Sequence, residues 1–224
     1  MCAFPSPLPT TRKYRSPLRD EQAAETRLRI VTAAAKLFAS AGYDGTSLAD
    51  LAHEAQVSLG TMKASGPKRD LLLAAFELRF AGAEGIDTLA THEPITEITA
   101  DTNNERYISG ITQFVAESNR RSSRLWIILV SAATSDPALN AALEGLRRRR
   151  REDMLALVDE LHRRGLASAQ TQRETLADAL SFILSPEGYS QLVTEAKWSH
   201  EAYETWLKRT VVLSGDAVSH DSGV

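Results

Sequence analysis

Between residues 58 and 68 the chain gathers hydroxyl and cationic groups whose spacing suits contact with a polyanion. Ser58, Leu59, Gly60, Thr61 and Lys63 fall on a short segment that Ser58 opens as a helix cap. The first turn of such a helix presents unpaired backbone N–H groups. Gly60 removes a side chain where a phosphate would approach, Thr61 offers a hydroxyl and a methyl, and Lys63 supplies charge, which are the group types that meet phosphates and base edges. Tyr43, Thr46 and Ser47 precede this segment, while Lys68 and Arg69 follow it. The chemistry implied is binding rather than bond-making.

Catalytic patterns are absent from the sequence. It contains no G-x-S-x-G elbow and no H-E-x-x-H pair, and its one cysteine, Cys2, lies in a Pro-rich leader. Gly66-Pro67-Lys68 lacks the glycine spacing and the Lys-Ser/Thr ending of a phosphate loop. His53 follows the inner face of a short helix, with no second His, Asp or Glu at ligand spacing on a shared face. The reading is therefore a protein that is not an enzyme, with no catalytic residue, no metal site and no cofactor.

A second candidate site lies further along. Arg147 to Arg151 form a run of arginines balanced by Glu144, Glu152 and Asp153, most of it a solvated helix face. The stripe of Leu139, Leu143 and Leu146, continued by Met154, Leu157 and Leu161, passes through position 150 and turns Arg150 inward. A desolvated guanidinium cannot shed its charge, so Arg150 requires either an internal carboxylate or an anionic ligand. Tyr107, Phe114, Trp126 and Phe182 also fall on apolar faces, where they either pack the core or line a pocket for a small-molecule effector.

The elements that must position these residues are helices. Ala, Leu, Glu and Arg dominate, and there are only 8 Pro and 12 Gly in 224 residues, which points to an all-α fold. Ile30, Ala34, Leu37, Phe38 and Ala41 mark the face of a first helix, from Glu21 to about Gly42. Ser47 with Asp50 is a capping-box start for a short second helix ending near Glu54. Ser58 starts a third helix, and Pro67 with Asp70 a fourth.

Residues 85–104 read as a loop because they mix Gly, Thr, Asn and Pro94. Helical patterns then resume at the Tyr107 stripe, in the apolar region around Trp126, and from Asp136-Pro137 to about Arg164. Three more starts follow, at Thr171 with Glu174, at Ser185-Pro186 and at Ser199. The expected organisation is a disordered basic arm at 1–20, a helix-turn-helix domain at 21–66, a helical regulatory and dimerisation domain at 67–213, and a disordered tail at 214–224. The arm either touches phosphates and the minor groove or is an idle terminus.

Charge is unevenly distributed. Residues 1–80 hold 11 Lys or Arg against 8 Asp or Glu, and the remainder holds 15 against 21. A basic end on an acidic chain suits an anionic partner confined to that end. A single cysteine fits a reducing cytoplasm, no apolar stretch is long enough to cross a bilayer, and the leader lacks a signal-peptide core, so the expected location is cytoplasmic with no membrane partner.

The run from residue 33 to 76 resembles the N-terminal domain of the tetracycline-repressor (TetR) family. Phe38, Gly42, Tyr43, Thr46, Ser47, Ala52, Val57, Ser58, Gly60, Thr61 and Leu72 occupy positions characteristic of that family. The resemblance implies that Tyr43, Thr46, Ser47, Ser58, Gly60, Thr61 and Arg69 contact double-stranded DNA. Three positions depart from the pattern: Gln56 stands for the turn glycine, Lys63 for a tyrosine, and Gly66 for an aromatic that anchors the third helix to the fourth.

Residues 185–207 resemble the last helices of a subset of the family, which implies a homodimer through the C-terminal helices and an effector pocket among the middle ones. The implied function is a transcriptional regulator, by family default a repressor, that binds a palindromic operator and is released by a small-molecule effector. The alternative is a helical ligand- or protein-binding module whose helix-turn-helix is vestigial.

Overall fold

The computed structural model describes residues 17–168 and 170–217, all helical or connecting segments. The expected arm at 1–16 and the end of the tail from 218 lie outside the described residues. Helix α1 spans Pro17–Ala41, so helix already runs through residues 17–20, ahead of the expected start at Glu21.

Helices α2 (Leu48–Glu54), α3 (Leu59–Ala64) and α4 (Lys68–Ala81) follow. The capping box of α2 is present on both sides: Asp50 N donates to Ser47 Oγ at 3.1 Å and Ser47 N donates to Asp50 Oδ2 at 3.0 Å. Ser58 caps α3, accepting from Thr61 N at 3.0 Å. Pro67 itself is the N-cap of α4, so the helix opens at Lys68.

The expected loop over 85–104 is corrected. It contains a 3-10 turn, Leu89–Thr91, and a helix α5, Glu93–Ala100. Pro94 was the misleading signal, since proline in a first helical turn starts helices as readily as proline elsewhere breaks them. Close packing fixes α5: a Cβ built on Gly110 would stand 2.9 Å from Ile98 Cγ2, so the glycine lets the two helices approach.

Helix α6 (Asn104–Ala133) is also a correction, because the Tyr107 stripe and the Trp126 region form one uninterrupted helix of 30 residues. The polar interval between them is buried rather than looped. Ser118, Asn119, Ser122 and Ser123 are each under 10% exposed, and Ser122 Oγ donates a hydrogen bond to the Ser118 carbonyl at 2.7 Å. Helix α7 (Pro137–Arg163) is capped by Asp136, which accepts from Ala138 N and Leu139 N.

After α7 come α8 (Arg173–Ile183), a short α9 (Pro186–Tyr189) running into a π-helical turn at Ser190–Glu195, and α10 (His200–Ala217). Residues 214–217 of the expected tail thus belong to α10.

Two apolar cores result. The first joins α1 to α4 with the C-terminal half of α6 and the N-terminal half of α7, around Phe38, Leu51, Met62, Leu72, Leu129 and Leu143. The second joins the other halves of α6 and α7 with α8, α9 and α10, around Tyr107, Val158, Leu180, Tyr203 and Leu207. Two long helices therefore cross both cores, and the serine-rich interval of α6 and the arginine run of α7 mark the transition.

Candidate nucleic-acid interface and effector chamber

The helix-turn-helix is built from local hydrogen bonds over an apolar inner face. Leu51 and Met62 are fully buried where α2 and α3 cross, with Ala52 small beside them. Gln56 carries the turn in the left-handed region at φ +54°, and Val57 N donates to Ala52 O at 3.0 Å to close it. The departure from glycine has thus left the turn path intact, at the cost of placing a Cβ in a conformation L-residues avoid.

Opposite the buried Met62, the outer face of α3 is open. Leu59, Gly60, Thr61 and Lys63 are exposed, Leu59 by 44%. A Cβ on Gly60 would meet nothing nearer than Ser58 Oγ at 3.6 Å, so no internal packing demands glycine there. The Ser58 and Thr61 hydroxyls hydrogen-bond each other at 2.8 Å. Ser47 and Arg69 are also exposed, and the Arg69 guanidinium lies 3.7 Å from the Asp70 carboxylate.

Two of the sequence-stated DNA contacts are corrected. Thr46 is 2% exposed and its hydroxyl donates inward to the Gly42 carbonyl at 2.8 Å, so its side chain faces the core. Lys68 is an internal brace: Nζ donates to the carbonyls of Tyr43 at 2.9 Å and Thr46 at 3.2 Å and sits 4.1 Å above the Tyr43 ring. Tyr43 is half-buried, and that burial raises its hydroxyl above the ordinary tyrosine range. Gly66 adopts φ +114°, a turn that an aromatic could not take without strain, and the α3–α4 corner is held instead by Lys68 and by Arg27. Arg27 donates to the Ser65 carbonyl at 2.9 Å and forms an ion pair with Glu84 at 2.7 Å.

Between the cores lies an apolar chamber in two lobes that share part of their lining. The lobe beneath α4 has Phe76, Phe80, Trp126 and Leu146 on its walls. The other is lined by Ile95, Tyr107, Ile111, Phe114 and Leu157. Leu89, Val115, Asp153, Met154 and Leu184 belong to both.

Tyr107, Phe114, Trp126 and Arg150 therefore come together on one chamber, as the apolar stripes implied. Phe182 stands outside it: it is 75% exposed at an outer cleft that also bears Trp126 and Arg150, because α8 turns Leu176, Ala177 and Leu180 inward instead.

The polar groups of the chamber were not legible in advance. Glu77 pairs with Arg149 at 2.8 Å and also accepts from Gly85 N at 2.9 Å. Asp153 accepts from the Thr88 hydroxyl at 2.6 Å and from Leu89 N at 2.9 Å, and burial raises its carboxyl above the usual range despite those bonds. Arg164, whose side chain is 5% exposed, lies behind two residues of the far lobe, Tyr107 and Glu160. It stacks 3.9 Å above the Tyr107 ring, pairs with Glu160, and donates to the carbonyls of Asp101 and Thr99 at 2.8 and 2.6 Å.

The architecture defined so far is a helix-turn-helix unit mounted on an all-helical body that contains an apolar chamber. Residues 30–63 match the family model described as bacterial regulatory proteins, tetR family. That segment is thus similar to the family's DNA-binding domain, and the described helices share the fold of solved structures assigned to it.

Three solved structures illustrate the likeness. A protein from Rhodococcus sp. assigned as a TetR-family transcriptional regulator superposes with a TM-score of 0.67 at 19% identity, over 86% of this chain and 99% of its own. The fatty acid degradation regulator FadR from Bacillus halodurans gives 0.65 at 16% identity, covering 89% and 97%. A protein from Saccharomonospora viridis assigned as a transcriptional regulator, in complex with choline, gives 0.63 at 19% identity, covering 88% and 97%. No curated protein matches the chain by sequence. Among the described residues, no helix is long and apolar enough to cross a membrane.

Proposed function

We propose that the chain is a dimeric transcriptional repressor that binds a palindromic operator through α3 and is released when a small molecule fills the chamber. The observation that carries this reading is the contrast across α3, whose Met62 is fully buried while Leu59, Gly60, Thr61 and Lys63 stand in solvent. An exposed leucine beside a hydroxyl and an ammonium suits thymine methyl groups and phosphates in a major groove.

The dimer forms through α8 and α10. Phe182, Val212 and Leu213 are exposed by 75, 44 and 64%, apolar area that a partner copy would cover. In that dimer the two α3 helices would enter grooves about one helical turn of DNA apart.

Helix α4 transmits the signal. Its N-terminal half packs in the core of the DNA-binding unit through Leu71, Leu72 and Ala75, while Phe76 and Phe80 form a wall of the chamber. An effector that favours one position of α4 shifts the separation of the α3 helices, and its affinity ratio for the two states sets the loss of DNA affinity.

The test is a gel shift with a duplex spanning the region upstream of the protein's own gene, repeated across a salt series. Specific binding that weakens steeply with salt supports the reading. Binding no tighter than to an unrelated duplex would overturn it and leave a helical binding module.

A further inference from the structure

The polar groups around the chamber divide into those the chain has already satisfied and those it has not. Each buried acid has partners: Glu77 has Arg149 and Gly85, and Asp153 has Thr88 and Leu89. Asp87, at the rim, is exposed to solvent. The unsatisfied groups are both donors. Trp126 is 4% exposed and its Nε1–H is buried with no acceptor among the described residues. Arg150 is desolvated, forms no ion pair among the described residues, and commits one N–H to the Ser181 carbonyl, leaving the rest of a five-donor fork without a protein partner.

These two donors share a location. Trp126 and Arg150 are the residues common to the apolar lobe beneath α4 and to an outer mouth bounded by Arg147, Asp178, Ser185 and Glu187. Glu187 and Asp178 face this mouth, yet neither forms an ion pair with Arg150, and the electrostatic pull of Glu187 does not offset the guanidinium's loss of water. A half-buried cation and an orphan N–H at the end of an apolar cavity make a seat for an acceptor that bears negative charge.

Resting on the reading of the chamber as an effector site, we propose that the effector is an amphipathic anion: a carboxylate held by Arg150 and Trp126, with an apolar body extending past Phe76, Val115 and Met154 toward the far lobe. The guanidinium supplies a bidentate, charge-assisted contact, and the phenylalanine and aliphatic walls accept a hydrocarbon chain. A cationic ligand is disfavoured at the inner end of the lobe, where Glu77 and Asp153 already have partners while most N–H groups of Arg150 do not.

The experiment is calorimetric titration of the full chain, without DNA, by three probes of equal chain length: decanoate, decanol and decyltrimethylammonium. The expected result is decanoate binding at least about tenfold tighter than either of the others, the scale of one charge-assisted contact. Arg150→Gln should remove that margin, bringing decanoate affinity down to that of decanol, and Trp126→Phe should weaken decanoate a few-fold. Decyltrimethylammonium binding as tightly as decanoate overturns the proposal, as does an absence of decanoate binding.

Retained decanoate affinity in Arg150→Gln also overturns it. If that variant instead lowers dimerisation in sedimentation while decanoate still binds, Arg150 is an interface cation and the assignment fails. Should Arg150→Gln not fold, the ranking of the three probes on the unmodified chain and on Arg150→Lys decides. Because no DNA is present, failure here is distinct from failure of operator binding.

Discussion

Glu77 of α4 accepts a hydrogen bond from Arg149 of α7 at 2.8 Å, and both side chains line the chamber beneath α4. The pair ties the helix that carries the DNA-binding unit to a helix that crosses both cores. Glu77 is 15% exposed and Arg149 33%, so the contact is partly desolvated and stronger than a surface pair.

A double-mutant cycle measures that tie. Glu77→Gln and Arg149→Gln should each cost about 1 kcal/mol in urea unfolding, with a coupling energy on the order of 1 kcal/mol. Additive losses would show that the two residues do not support each other. If α4 is the lever, the same variants also change the ratio of operator affinities with and without effector.

The turn between α2 and α3 predicts a gain. Gln56 occupies φ +54°, where glycine has no steric penalty. Gln56→Gly relieves that strain but gives the unfolded chain more freedom, and the balance should favour the fold by about 0.5–1 kcal/mol. Thermal unfolding should rise by roughly 2 °C for a domain of this size, with unchanged DNA affinity. A lower melting temperature would mean that the glutamine side chain makes a compensating contact.

Lys63 and Lys68 separate by function although both are lysines near α3. Lys63 is exposed, so Lys63→Met should leave stability within about 0.5 kcal/mol and reduce the salt dependence of DNA binding by about one phosphate contact. Lys68 braces two carbonyls and the Tyr43 ring, so Lys68→Met should cost about 1–2 kcal/mol of stability. The reverse pattern, with Lys68 setting the salt slope, would place its ammonium on DNA rather than inside the domain.

The difference between those two lysines also shows what the sequence could carry. The helix-turn-helix was legible because its determinants are local: Ser47 meets Asp50 and Ser58 meets Thr61 three residues away, and the apolar spacing of Leu51 and Met62 fixes the inner face. Lys68 reaches back 25 residues to Tyr43, a contact that no local pattern announces.

The chamber is less legible for the same reason. Periodicity placed Tyr107, Trp126 and Arg150 on inward faces, but the pairs that tune the site join residues 72 apart, Glu77 with Arg149, and 65 apart, Thr88 with Asp153. Phe182 failed because α8 has one strongly buried face, and a phenylalanine just off it looks identical in sequence to one that packs.

That exposed phenylalanine makes its own prediction. Phe182→Ser with Leu213→Ser removes apolar area from the outer sides of α8 and α10 without opening a cavity, since Phe182 and Leu213 are 75% and 64% exposed. Sedimentation should show a shift from dimer to monomer at equal helicity, and operator affinity should fall with it. An unchanged dimer would move the interface elsewhere.

Asp153 gives a pH dependence with a definite sign. Burial raises its carboxyl pKa in the folded chain despite the bonds from Thr88 and Leu89, so the folded state holds this proton at pH values where the unfolded chain has released it. Stability must then decline as pH rises from the ordinary aspartate range through the raised value, and the loss persists at neutral pH. Asp159, Glu160 and Glu117 act oppositely: arginine partners lower their pKa values, so their stabilisation is present above the unfolded range and is lost on acidification. The difference between the chain and its Asp153→Asn variant isolates the one group. Urea unfolding at a series of pH values should show the variant gaining relative stability as pH rises through that window and a constant difference beyond it. A difference independent of pH would mean that Asp153 titrates alike in the folded and unfolded chains.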